Sequence, residues 1–278
     1  MRSSNAGSVH VGKSRKNNAN PFLYECKQTA ELPVTNVSDK FNCRYAYGRA
    51  SETAHMQDRG QDFMAFALDG GVCSFVLCDG VGLSFRGDMA SKFLGRGLLS
   101  WLRSQGELNR QNLERKLVEL SAEASQESDA LTFDEDTPLL LKEVLQQKQQ
   151  QGSEAMYICG RIELPGRFHR KGKLWLAWQG DSRLRMFQQH MELTSQFGDR
   201  FHTSERWSTR SGPIGGRPHI FESRLDALSG YRLLMYSDGL NDLDPILERV
   251  PDEQVQLLMD AVHTGGLEDD ASFLEISW

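Results

Sequence analysis

The sequence predicts an α+β fold. Apolar runs of strand length gather in two blocks, one ending near residue 80 and one starting near residue 156. Three segments with helical spacing lie together between these blocks instead of alternating with single strands. No internal repeat is present, which excludes solenoids and propellers. At 278 residues, with 39% hydrophobic and 25% charged, the chain has the length and balance to bury a substantial core.

Residues 1–40 are rich in Ser, Asn, Lys and Arg and lack sustained periodicity. They read as a flexible polar arm with one short apolar piece at Phe22-Leu23-Tyr24, preceding a single domain over 41–278. Phe63 to Leu68 and Val72 to Cys78 are strands joined through Asp69-Gly70-Gly71 as a hairpin. Met89, Phe93, Leu94, Leu98, Trp101 and Leu102 fall on one face of a helix, and Leu113, Leu117 and Leu120 repeat the pattern. A third helix follows Asp136-Thr137-Pro138, a cap with proline in the first turn. Met156 to Leu164, Lys173 to Trp178, Arg183 to Phe187, Tyr231 to Tyr236 and Ala271 to Ile276 read as strands. Residues 189–220 read as irregular, and 240–247 and 252–263 as helical.

Several function classes are excluded. The net charge of −6 argues against nucleic acid as a partner, because phosphate backbones select basic surfaces. No apolar run approaches the roughly 20 residues that span a bilayer, and the N-terminus has no apolar core of a secretory signal. Five cysteines with no CxxC pair suit reduced thiols in a cytoplasm. Gly7 to Ser14 (GSVHVGKS) matches the P-loop pattern, but neither the buried strand before it nor the helix after it is present. Cys78 lacks the arginine that a cysteine phosphatase needs, since Ser84 stands at that position.

Aspartates recur where apolar strands meet loops. Asp62 precedes FMAFAL, Asp79 follows CSFVLC, Asp181 follows LWLAWQG, Asp238 follows YRLLMYS, and Asp269 and Asp270 precede ASFLEI. If those strand ends converge, the carboxylates share one small volume. Packed like charges must then protonate or bind cations, and oxygen donors without Cys or His favour Mg²⁺ or Mn²⁺. Any one of these residues taken alone is better explained as a turn former. Spacing does not show that the strands meet.

The order and wording of the segments resemble the PPM/PP2C family of metal-dependent protein phosphatases. The resemblance rests on RGQDF, VLCDGVG, WQGDSRLRMF, LLMYSDGLNDL and LEDDAS, in that order over about residues 43–278. It is closest to the bacterial PP2C-like branch, in which a Ser/His-containing segment (here GRASETAHMQDRGQD) precedes a QD. The fold implied is an αββα four-layer sandwich, two antiparallel β-sheets flanked by helix pairs, with WQGDSRLRMF as a hairpin.

The resemblance also implies roles. Asp79 bridges two Mn²⁺ or Mg²⁺ ions and the Gly80 carbonyl binds one of them. Asp238 and Asp269 complete the first ion's shell, Asp62 holds the second, and Asp181 serves a looser third with Asp238. Asp270 contacts the site. His55 and Arg59 stand in the region where many members carry a phosphate-gripping arginine. Asp62, Asp79, Asp238 and Asp269 are thus the candidate catalytic set. The implied reaction is hydrolysis of phosphoserine or phosphothreonine by a metal-bridged hydroxide, in a cytoplasmic monomer acting on a phosphoprotein, a cognate Ser/Thr kinase among the candidates. The short, Arg-rich segment between Asp181 and Asp238 (Arg200, Arg206, Arg210) implies either a reduced flap or one that reads acidic phosphopeptides. The alternative is a weak or inactive PP2C-like domain that binds phosphoproteins.

Overall fold

The computed structural model describes residues 21–133, 136–166, 171–225, 230–260 and 267–278. Gly7 to Ser14 and the first 20 residues of the expected arm lie outside them. The chain begins with strands β1 (Phe22–Glu25), β2 (Leu32–Ser38) and β3 (Asn42–Gly48), then a short helix α1 (Ser51–His55). The hairpin β4 (Phe63–Asp69) and β5 (Val72–Gly80) follows, then helices α2 (Gly87–Ser104), α3 (Arg110–Asp129) and α4 (Leu139–Gln151). Next come β6 (Glu154–Glu163), β7 (Gly172–Gln179), β8 (Arg183–Gln188) and β9 (Met191–Glu192). Then come β10 (Arg206–Ser208), β11 (Gly212–Ile214), β12 (His219–Leu225) and β13 (Tyr231–Tyr236). A 3-10 turn (Asp238–Leu243), α5 (Asp252–Asp260) and β14 (Ala271–Ser277) complete the order.

The strands form two antiparallel sheets, as the α+β reading requires. One runs β1-β4-β5-β6, after which β6 pairs with β7 along most of its length and with β10 at its start; β12 and β11 lie beyond. The other runs β2-β3-β14-β13-β8-β9. One apolar core fills the space between the sheets and continues under α2 and α3, whose Leu94, Leu98, Leu113 and Leu117 are fully buried. A second core lies between the other sheet and α5, around Phe273, Tyr236, Val255 and Met259.

The structure corrects several expectations. Residues 22–38, read as part of the arm, supply β1 and β2, one to each sheet. Their polar, half-exposed character is that of edge strands, which bury only one flank. The WQGDSRLRMF segment is not a hairpin. β7 pairs with β6 and β12, β8 pairs with β13 and β9, and the link between them carries the chain from one sheet to the other. The helix read over 240–247 is a 3-10 turn ending at Leu243. The 252–263 helix is described as far as Asp260. Among the described residues the second sheet carries that turn and α5 rather than a pair of long helices. The stretch 189–220, read as irregular, contains β9 to β11 and the start of β12.

Candidate active site

Strand register brings the predicted aspartates to one end of the molecule. Phe63 pairs with Cys78, so Asp62 and Asp79 stand side by side at the same edge of the first sheet. In the second sheet Tyr236 pairs with Phe273 and with Arg183, which sets Asp238, Asp269-Asp270 and Asp181 at one edge. The crossover from β7 to β8 joins the two edges at Gly180-Asp181. Gly180 has φ of +117°, and a Cβ there would lie 2.4 Å from that of Met156. Only glycine fits this crossover.

The convergence has an electrostatic consequence. The Asp79 carboxyl is pushed well above the ordinary range, first by burial and then by Asp238, Asp269, Asp181 and Asp270. Asp62 is raised in the same way by burial, Asp79 and Asp270. Asp238 is raised by burial, Asp269 and Asp181, with Arg183 and the Gly239 N–H pulling the other way. The carboxylates act on one another through their fields, yet no three Asp, Glu, His or Cys side chains among the described residues are gathered tightly enough to hold an ion as they stand.

The donor set nevertheless suits a hard divalent cation. It is all oxygen. Asp62 is 2% exposed and its Oδ2 has no hydrogen-bond partner. The hydroxyls of Ser237 and Ser272 lie close enough to favour its charge, but neither makes a well-formed bond to Oδ2. A buried, unpaired carboxylate oxygen is costly unless a cation meets it. Gly80 is equally constrained. A Cβ there would lie 2.4 Å from the Gly87 carbonyl oxygen and 2.7 Å from that of Gln61, so the residue after Asp79 can present only backbone.

Two networks around the site escaped sequence reasoning. The Asp270 carboxylate accepts from the backbone N–H of Ala50 (2.7 Å) and of Gln61, and its own N–H donates to Asp269 Oδ1 at 2.8 Å. Asp270 therefore ties the loops carrying Asp62 and Asp269 together. Arg183 donates through Nε to Asp244 (3.0 Å) and through Nη1 to the Asp181 carbonyl, while Tyr236 Oη donates to Asp244 Oδ1 at 2.8 Å. This clamp joins the Asp181 turn to the turn that begins at Asp238. Only the GDSR wording hinted at it.

The other expected site residues lie to the side. His55 is exposed at the end of α1. Arg59 is exposed and lines a groove along α2. Neither makes a hydrogen bond or ion pair with the carboxylates among the described residues. Arg206 is paired with Glu154, beside the Gly80 end of β6, and Arg210 with Asp129. The Arg200 carbonyl accepts from Trp178 Nε1. A cavity of about 1180 Å³ opens at the far end of the second sheet, lined by Arg44, Arg232 and Arg249 and by none of these carboxylates.

Solved structures share this arrangement of sheets and helices. The serine/threonine phosphatase Stp1 from Staphylococcus aureus aligns with a TM-score of 0.55 at 16% identity, over 90% of this chain and 97% of that one. The fold is that of the bacterial serine/threonine phosphatases. The catalytic domain of the phosphatase PstP, in complex with 2 manganese ions, aligns at 0.53 and 17% identity, over 85% of this chain and 98% of that one. RsbX in complex with magnesium aligns at 0.52 and 11%, over 88% and 98%. No protein-family model matches the chain, and no curated protein matches it in sequence. The likeness is one of fold, and it is the PP2C-type sandwich expected from the motifs.

Proposed function

We propose that the chain is a metal-dependent phosphoprotein phosphatase acting on phosphoserine or phosphothreonine. The observation that carries this reading is the convergence of Asp62, Asp79, Asp181, Asp238 and Asp269 on one end of the two sheets, with a buried carboxylate oxygen left unpaired. Asp79, the Gly80 carbonyl, Asp238 and Asp269 would hold one divalent ion. Asp62 would serve a second with Asp79, and Asp181 a looser third. The manganese and magnesium named for PstP and RsbX are the natural candidates. Such ions supply positive charge to phosphoryl oxygens and lower the pKa of water.

The chain's own residues do the rest. The Asp270 bonds and the Arg183–Asp244–Tyr236 clamp tie the carboxylate-bearing loops together, which limits the adjustment the carboxylates need to close around the ions. The acidic cluster repels a phosphate in the absence of cations, which makes activity strictly metal-dependent. The substrate would be a phosphorylated protein, with a cognate Ser/Thr kinase as one candidate. Five free, buried cysteines suit a reducing, cytoplasmic setting, and no described helix is long and apolar enough to cross a membrane.

The test is turnover of an aryl phosphate ester and a phosphothreonine peptide with Mn²⁺. Activity that disappears in Asp79→Asn and Asp238→Asn is the expected outcome. No turnover with any divalent metal would replace this reading with a phosphoprotein-binding module.

A further inference from the structure

The first turn of α2 packs directly on the residues that flank the candidate metal ligands. Ser91 Oγ donates to the Gln61 carbonyl, and a Cβ at Gly87 would lie 2.4 Å from Gln61 Oε1 and 2.9 Å from the Gly80 carbonyl carbon. Beside this junction a groove of about 680 Å³, lined by Arg59 and Asp88 and by none of the candidate metal ligands, runs between α2 and α3. Its floor is apolar, formed by Met89, Phe93, Leu120 and Leu131. Its wall on the α2 side carries Arg59, Arg86, Lys92 and Arg96. Arg86 is paired with Asp88 and Arg96 with Glu25. Arg59 and Lys92 have no hydrogen bond or ion pair among the described residues. The α3 wall carries Glu123 and Glu127.

We propose that this groove docks the polypeptide of the phosphoprotein substrate beside its phosphorylated residue, with an acidic side chain on Lys92 and Arg59 and an apolar side chain on the Met89–Phe93 floor. The inference rests on the phosphatase reading above. Charge decides the occupant. The unpaired cations Arg59 and Lys92 complement an acidic side chain, and Arg59 precedes Asp62 by three residues in the chain. The apolar floor adds burial beyond the charge contact. Glu123 and Glu127 favour a neutral or basic residue on the far side.

The experiment compares full-length wild type with Lys92→Glu and Glu123→Lys, with Mn²⁺, on three kinds of substrate. These are an aryl phosphate ester, phosphothreonine peptides with Glu-Leu flanking either side of the phosphorylated residue, and the same peptides with Lys replacing Glu. Lys92→Glu is expected to lower kcat/KM on the better Glu-Leu peptide about three- to tenfold, the range of one exposed charge contact reversed, through KM. It is expected to improve the Lys peptide and to leave the aryl ester unchanged. Glu123→Lys, on the α3 side of the groove, is expected to keep the preference for the Glu peptide over the Lys peptide, and loss of that preference overturns the assignment of the acidic side chain to Lys92 and Arg59. Equal loss on ester and peptide, or no effect on either, overturns the docking proposal and leaves the phosphatase reading intact. Absence of ester turnover in wild type overturns both.

Discussion

The far end of the second sheet gives the sharpest quantitative expectation. Glu275 is 1% exposed and accepts four hydrogen bonds. Arg44 donates from Nε and Nη2, both at 2.9 Å, and Arg232 and Arg249 each donate at 3.2 Å. Burial alone would raise its carboxyl, but Arg44, Arg232 and Arg249 more than reverse this and hold it below the usual range. Glu275→Gln keeps the shape and removes the charge, which leaves Arg44, 3% exposed, with Asp252 as its remaining carboxylate. Breaking a buried pair of this kind costs about 3–5 kcal/mol, or a Tm loss of roughly 6–20 °C for a chain of this size. The pH dependence has a definite sign. A carboxyl depressed in the folded state contributes stability that is full above its unfolded pKa, about 4.3, and lost as pH falls through the folded value. The gap between wild type and variant should thus be full at neutral pH and close in acid. Urea denaturation from pH 7 down to pH 3 measures it. A deficit under about 1 kcal/mol at pH 7, or one that does not shrink in acid, refutes the reasoning.

Gly80→Ala sets a methyl against two backbone carbonyls, and overpacking of this kind costs about 1–3 kcal/mol; scanning calorimetry should show a lower Tm and no further rise on adding Mn²⁺. Asp79→Asn should raise the Tm without metal while abolishing the Mn²⁺-induced rise. A carboxyl raised in the folded state contributes its stability below its unfolded pKa, about 3.9, and loses it as pH climbs through the folded value, so at neutral pH the ionisable group is a net cost that asparagine lacks. Arg183→Met unties the Asp181 turn from Asp244, and titration calorimetry should show weaker Mn²⁺ binding with the fold intact by circular dichroism. Asp69→Asn, at the exposed tip of the β4–β5 hairpin, should change stability by no more than about 0.5 kcal/mol, as urea denaturation would report.

The parts of the fold legible in the sequence were those whose pattern is local. The β4–β5 hairpin announces itself through two apolar runs and a glycine turn, and α2 and α3 through leucines at helical spacing. β1 and β2 were obscure because an edge strand buries one flank and keeps polar residues on the other, as LPVTNVS does. The sequence around Gly180-Asp181 suggests a hairpin where the structure has a crossover, since two strands close in sequence look alike whether they pair with each other or with distant partners. The aspartates stood out one by one, and the family motifs ordered them, but only strand register brings Asp62 beside Asp79 and Asp238 beside Asp269. Asp270 was underestimated because its work is done by two backbone N–H groups, from Ala50 and Gln61, to which a sequence gives no address.

The β7–β8 crossover also means that the two halves of the carboxylate cluster belong to different sheets. The gap between Asp79 and Asp238 is therefore fixed by interior packing, where Tyr45 of β3 meets Phe66 of β4 edge-on at 5.0 Å and Cys43 of β3 approaches Cys73 of β5. The interior acts as a spacer. A cation shared between the halves would work as a bolt through both sheets.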